Sequence, residues 1–206
     1  MINAIRNSKL INWPNTLTII RIFIALAIPW LLFQAATGPR LLAGVLFFIA
    51  SVTDYIDGQL ARRYNTITNL GKMLDPIADK LLVLGTLTTL AILIPFNIIW
   101  VLPILIREIT ITVLRMYFLT QNAVVASVKS GKQKMAFQLF TITVIYVNLM
   151  YQTSIYNSLS PALGDTLGTI ITITMYLFLT IAVYLTVQSG IIFFQNNWHL
   201  LTPQRN

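Results

Sequence analysis

No cysteine occurs among the 206 residues. That excludes disulfide frameworks, thiolate metal sites and cysteine nucleophiles. Histidine occurs once, which excludes a multi-histidine metal site. Any resident metal must then be held mainly by oxygen, which favours Mg²⁺, Mn²⁺ or Ca²⁺. Charge is scarce as well. Lys+Arg number 14 and Asp+Glu only 6, together 10% of the chain, where a soluble domain carries about 25%. Apolar residues make up 56%, and the mean hydropathy is +0.75. A soluble globular domain is excluded on these grounds. The length fits one domain, residues 1–206, and is too short for a twelve-helix transporter at about 20 residues per span.

What fills the sequence is a series of apolar stretches of spanning length. They predict an all-α integral membrane protein with six transmembrane helices near 14–36, 41–62, 69–94, 97–120, 132–152 and 165–195. Pro14 suits a first helical turn. Thr37-Gly38-Pro39 is expected to break the first pair, Pro95-Phe96-Asn97 the third from the fourth, and Ser160-Pro161 the fifth from the sixth. The sixth stretch exceeds the hydrocarbon thickness, so Gly190 is expected to end its spanning part, leaving an interfacial tail with Trp198 and His199. The basic start lacks a small-residue cleavage site and reads as the lead into a retained first helix.

Orientation follows from the loop cations. One side receives Arg6, Lys9, Arg62, Arg63, Lys72, Lys129, Lys132, Lys134 and Arg205; the other receives Arg40. Both termini are therefore expected in the cytoplasm. The net charge of +8 then lies mostly on the cytoplasmic face, where it suits anionic lipid and phosphate-bearing substrates and needs no nucleic acid to explain it.

The six acids are Asp54, Asp57, Asp75, Asp79, Glu108 and Asp165, and all but Asp165 fall well inside predicted helices. A charge at the bilayer centre costs about 2.5–3.5 kcal/mol on insertion scales, so such residues are usually buried in the bundle and functional. Asp54 and Asp57 are three apart and Asp75 and Asp79 four apart, so each pair shares a helical face. A short turn at 64–68 makes the two helices antiparallel neighbours. Four anions facing each other in low dielectric repel and protonate unless something compensates them. Two divalent ions sharing carboxylates are a familiar solution in phosphoryl chemistry. Salt bridges gluing helices together are the blander solution.

Other residues suit a phosphate. Gly58 and Gly71 allow close approach beside the acids. Arg62 lies one turn beyond Gly58. Arg107, Arg115, Lys132 and Lys134 lie in or near the cytoplasmic half of the fourth and fifth helices. Arg107 and Glu108 are candidates for an intramembrane pair, and Lys80 for a structural or snorkelling role. A divalent-cation channel is the rival reading. It should spread polar groups through the membrane depth, whereas these acids gather at one end.

At Asp54, Asp57-Gly58, Ala61-Arg62, Gly71, Asp75 and Asp79 the chain resembles the CDP-alcohol phosphotransferases, whose signature Asp-x2-Asp-Gly-x2-Ala-Arg-x8-Gly-x3-Asp-x3-Asp it matches at every spacing. Within that family it is most similar to the bacterial group that uses glycerol 3-phosphate. The similarity there rests on Asn12-Trp-Pro-Asn15 through Arg21, Leu74 through Lys80, Ile106-Arg107-Glu108 through Arg115, and Gly131 through Lys134. The resemblance implies six helices with cytoplasmic termini, a homodimer in the bacterial inner membrane, and an active site on its cytoplasmic side. It implies two metal ions, Mg²⁺ or Mn²⁺, on Asp54, Asp57, Asp75 and Asp79. It implies CDP-diacylglycerol bound at Asp54, Asp57, Gly58, Ala61, Arg62, Gly71 and Asn15, with Asp79 as general base. Arg107, Arg115, Lys132 and Lys134 would hold the acceptor's phosphate. The Asp motif alone leaves open cardiolipin, phosphatidylserine and inositol-phosphate enzymes of the same family.

Overall fold

The computed structural model describes residues 13–63, 69–94, 98–120 and 130–201; within these, the side chains of 13–15, 55–63, 69–73, 119, 130–133, 199 and 201 are outside the description. Among the described residues there is no strand and there are six α-helices. They are α1 (Trp13–Phe33), α2 (Thr37–Arg63), α3 (Asn69–Leu93), α4 (Leu102–Thr120), α5 (Ser130–Met150) and α6 (Pro161–Leu201). A 3₁₀ turn at Ile98–Trp100 precedes α4, and a π turn at Tyr151–Ile155 with a 3₁₀ turn at Tyr156–Ser158 leads into α6.

Two expected breaks fall elsewhere. Thr37-Gly38-Pro39 forms the first turn of α2, and the chain leaves helix at residues 34–36 instead. Proline is tolerated there because a first-turn N–H has no intrahelical acceptor to lose. Pro161 opens α6 for the same reason. Gly190 does not end the apolar part of the sixth stretch, which stays apolar enough to cross a membrane as far as Trp198 in a helix that runs unbroken to Leu201. A lone glycine costs a helix only about 1 kcal/mol relative to alanine, and here its missing side chain has another use, described below.

Among the described residues, four helices are long and apolar enough to cross a membrane: Thr16–Phe33, Leu74–Leu93, Lys134–Ser158 and Pro161–Trp198. The other two carry charges that cut their apolar runs. In α2 the run 41–53 lies between Arg40 and Asp54, and α4 carries Arg107, Glu108 and Arg115. Large apolar side chains face outward all along the helices, among them Phe23, Trp30, Phe48, Ile173 and Trp198. In water such a surface would aggregate; in a bilayer it is the lipid-facing side. The chain is an integral membrane protein.

The chain divides into two compact units, Met1–Thr89 and Leu90–Asn206. In the first, α1 packs on α2. Ala25, Ile28 and Leu32 are buried on α1, and Ala43, Phe47 and Ala50 on α2. Lipid offers no hydrophobic gain on helix association, so close approach at small residues and polar bridges must supply it. The bridge here is Arg40, whose Nε donates to the Leu32 carbonyl at 3.2 Å. That carbonyl belongs to the last turn of α1, which has no helical partner for it. Arg40, counted above as a loop cation, is in fact a buried cap.

In the second unit both α4 and α5 pack on α6. Ile142, Ile145 and Leu149 of α5 and Met175, Leu179 and Ala182 of α6 are buried. The Phe178 ring lies 5.5 Å from that of Phe137 and 5.0 Å from that of Phe140. Asn148, deep in this interface, donates through Nδ2 to the Met175 sulfur at 3.3 Å. The turn into α6 is pinned by Tyr151, whose hydroxyl donates to the Gly164 carbonyl at 2.6 Å.

Candidate active site

Unit one holds the motif aspartates. Asp54 sits on α2, and Asp75 and Asp79 on α3. Asp57, Gly58, Ala61 and Arg62 follow on α2, Gly71 opens α3, and Asn15 lies in the first turn of α1. The side chains of Asp57, Ala61, Arg62 and Asn15 lie outside the described residues.

Two residues of α1 hold two of these acids. Arg21 Nη1 contacts Asp54 Oδ1 at 2.5 Å, with the arginine side chain 4% exposed and the aspartate 31%. Thr18 donates through Oγ1 to Asp75 Oδ1 at 2.7 Å. Thr18 and Arg21 are three apart, hence on one face of α1. One helix face therefore ties a carboxylate of α2 to a carboxylate of α3. Asp79 lies 3.2 Å from its neighbour Lys80, so the lysine has an ionic partner within its own helix. The sequence reading missed Thr18 and the pairing of Arg21. The available signal was a cation three residues after a threonine inside an otherwise apolar span, a placement that requires a buried partner.

A divalent ion needs hard oxygen donors with capacity to spare. The described carboxylates meet the chemical requirement. Asp75 is exposed and its Oδ2 is not the atom Thr18 engages; Asp79 is half-buried and meets Lys80 through Oδ2 only. Among the described residues no three His, Cys, Asp or Glu are grouped to share an ion; Asp57, the fourth member of the set, has no described side chain.

Unit two holds the cations. Arg107 and Glu108 do pair, with Nη1 to Oε1 at 2.9 Å. Lys134 of α5 meets the same Glu108 oxygen. Glu108 is 3% exposed and Lys134 6% as side chains, and Arg107 is half-buried, so two cations share one buried carboxylate. Lys134 was counted above among the loop cations, but it is buried. Arg107 also donates through Nη2 to Ser189 Oγ of α6 at 3.0 Å, and the Ser189 hydroxyl donates in turn to the Thr186 carbonyl at 3.0 Å. Beside it stands Gly190. A Cβ there would lie 3.2 Å from Arg107 Cγ, so the absent side chain is what lets the arginine stem cross α6. Arg115 lies exposed two turns further along α4, and the Lys132 side chain is outside the described residues. The structure thus gathers Arg107 and Lys134 of the four expected cations.

An apolar groove of about 1050 Å³ runs along α4 and α6, with Ile106, Ile111, Ile191, Phe194 and Trp198 in its walls and Arg107 beside them. Its apolar lining suits lipid chains, while the charged atoms of Arg107 turn to Glu108 and Ser189.

Comparison with known proteins adds to this geometry. The profile of one family, CDP-alcohol phosphatidyltransferase, matches residues 11–193. A protein of Rickettsia typhi named CDP-diacylglycerol–glycerol-3-phosphate 3-phosphatidyltransferase is 36% identical over 186 residues, covering 89% of this chain and 96% of its own. One of the same name from Bacillus subtilis is 36% identical over 166 residues, covering 79% of this chain and 76% of its own. A third of that name, from Mycoplasma genitalium, is 33% identical over 158 residues, 68% of this chain and 65% of its own.

Proposed function

The chain belongs to the CDP-alcohol phosphatidyltransferase family, and on that footing we propose that it transfers the phosphatidyl group of CDP-diacylglycerol to glycerol 3-phosphate, giving phosphatidylglycerophosphate and CMP. The relatives that carry this activity in their names cover most of the chain. The observation that supports a phosphorylated acceptor is the trio of Arg107, Glu108 and Lys134, with Glu108 and Lys134 buried and Arg107 half-buried. Two cations on one carboxylate leave a positive charge in a low-dielectric interior. A phosphate-bearing acceptor compensates it where an uncharged alcohol such as inositol cannot, and the choice of glycerol 3-phosphate among phosphorylated acceptors follows the relatives' names.

In this reading residues 1–206 form one catalytic domain. Asp54, Asp57, Asp75 and Asp79 hold two divalent ions, Mg²⁺ or Mn²⁺. When bound, these ions neutralise the charge that develops on the phosphoryl oxygens. Gly58, Ala61 and Gly71 leave room for the nucleotide, and Arg62 and Asn15 bind it. Asp79 accepts the proton of the acceptor hydroxyl. The freed oxygen forms a bond to the β-phosphorus as the bond to the bridging oxygen breaks, and CMP departs with that electron pair. Thr18 and Arg21 hold Asp75 and Asp54 in place. Arg107, Arg115, Lys132 and Lys134 receive the acceptor's phosphate.

All six helices span the membrane in this reading, with Arg40 and Asp54 of α2 and Arg107 and Glu108 of α4 tolerated because each has a partner within the protein. The termini and the active site face the cytoplasm of a bacterial cell, as the loop cations support, and the enzyme works as a homodimer in the cytoplasmic membrane. An acceptor screen tests the function. Purified enzyme receives CDP-diacylglycerol, Mg²⁺ and one alcohol at a time, and CMP release is measured. Glycerol 3-phosphate should support release and glycerol, serine, inositol phosphate and phosphatidylglycerol should not. Faster release with any of the others would replace the acceptor and leave only the family reaction.

A further inference from the structure

Glu108, Ser189 and Gly190 have no role in the reaction as described so far, yet all three converge on Arg107. Glu108 touches both Arg107 and Lys134. Ser189 takes Nη2 of the same guanidinium, and its own hydroxyl is oriented by the Thr186 carbonyl. Gly190 receives the arginine stem at a distance where even a methyl group would press on it. The side chain of Arg107 is thus fixed at both ends, by contact along its stem and by two hydrogen bonds at its head. Long cations lose much rotamer freedom when held, and two like charges do not stay together without a counter-charge. A site that must meet a phosphate with both cations in place gains affinity if those costs are met before the substrate arrives.

We propose that Glu108, Ser189 and Gly190 are the positioning apparatus of the acceptor-phosphate site. Glu108 clasps Arg107 and Lys134 into one preorganised cation pair, and the Ser189-Gly190 step of α6 is the seat that sets the arginine's orientation. None of the three needs to touch substrate. The proposal rests on the reading of Arg107 and Lys134 as acceptor-phosphate ligands, and it makes α6 a determinant of acceptor specificity.

Steady-state CMP release by the purified full-length enzyme tests it, with each substrate varied in turn. The variants are Arg107→Ala, Ser189→Ala, Ser189→Thr, Gly190→Ala, Gly190→Val and Glu108→Gln, each checked for a melting temperature near the parent's. Ser189→Ala removes one hydrogen bond from the guanidinium and should raise KM for glycerol 3-phosphate roughly two- to tenfold, the range for a lost intramolecular hydrogen bond, with a smaller change in KM for CDP-diacylglycerol. Ser189→Thr keeps the hydroxyl and should restore the parent value. Gly190→Val should exceed Gly190→Ala, because the arginine stem can yield a few tenths of an ångström to one methyl group but not to a branched side chain.

Glu108→Gln separates two kinds of role. Its loss adds positive charge to the site, so a merely competing carboxylate would give a lower KM for glycerol 3-phosphate on removal. A positioning carboxylate gives a higher one, and that is the expected result. A lower KM would overturn the proposal, as would equal rises in both KM values across the series, which mark general loosening. Should Glu108→Gln fail to fold, the Ser189 pair decides alone. If Arg107→Ala leaves KM for glycerol 3-phosphate unchanged, the acceptor-site reading itself fails. If Arg107→Ala raises it while the Ser189, Gly190 and Glu108 variants stay at the parent value, only the positioning proposal fails.

Discussion

Replacing Arg21 should uncouple Asp54 from α1, and the size of the effect can be worked from the contact. The pair is a charge-assisted hydrogen bond, with the arginine side chain 4% exposed and the aspartate 31%. Breaking a fully buried pair costs about 3–5 kcal/mol, while an exposed pair is worth about 0.2–1 kcal/mol. One partner here is buried and the other is a third open, so the coupling should fall at about 1.5–3 kcal/mol, the range for hydrogen bonds to charged groups. Arg21→Met keeps most of the stem volume and removes the charge, and Asp54→Asn keeps shape and removes the other charge. Unfolding free energies in mixed micelles with EDTA, for both singles and the double, isolate the pairwise part from loss of packing. A coupling below about 0.5 kcal/mol would refute the reasoning, since that is the level at which unrelated sites add. Saturating Mn²⁺ supplies a second test. If Asp54 is a metal ligand, a divalent ion competes with Arg21 for the carboxylate and the coupling should shrink. Unchanged coupling would remove Asp54 from the metal set.

Chelation with EDTA should abolish CMP release, and Mg²⁺ or Mn²⁺ should restore it; full release by protein shown to be metal-free would sink the two-metal reading. Asp79→Asn should leave CDP-diacylglycerol binding measurable while turnover falls by about 10²–10⁴, the usual contribution of a general base; parent-level turnover would send the search for the base elsewhere. The absence of native cysteine makes single-cysteine labelling free of background. Asn65→Cys and Ser130→Cys should react from the cytoplasmic side only, and Thr37→Cys and Asn157→Cys from the outside only, and the reverse pattern would overturn the orientation.

Most of the helical layout was legible because it depends on local composition. Apolar stretches of spanning length separated by Pro and Gly clusters place the helices to within a few residues of those observed. The misplacements share a cause. Proline in Thr37-Gly38-Pro39 and glycine at 190 are treated as breakers by a local rule, but each is compatible with helix where it stands. Pro39 sits in a first turn, and Gly190 is where another helix's arginine crosses. The aspartate motif was legible because fixed spacing on two helices is a one-dimensional signal. Thr18, Ser189 and the burial of Lys134 were not, because each depends on which side chain of a distant segment lies opposite. Arg40 shows the same limit: in sequence it is a loop charge, and in the structure it is a cap on the helix before it.

The ion pairs of both units follow one electrostatic rule. In unit one Asp54 stands against Arg21 and Asp79 against Lys80, while Asp75 accepts from a neutral hydroxyl, that of Thr18. In unit two, Arg107 and Lys134 stand against Glu108, which leaves one positive charge. Full neutralisation would be the cheaper arrangement for a membrane protein, since each uncompensated buried charge carries a solvation cost. It would also leave little attraction for an ionic ligand. A complete absence of counter-ions would give the strongest attraction at a cost the fold could not bear. The partial pairing lies between these limits. In the function proposed above, the carboxylate cluster would take a divalent cation and the cation cluster a phosphate. On that reading Mn²⁺ and glycerol 3-phosphate should each raise the melting temperature of the purified protein by mass action, and a melting temperature unmoved by either would count against the site assigned to it.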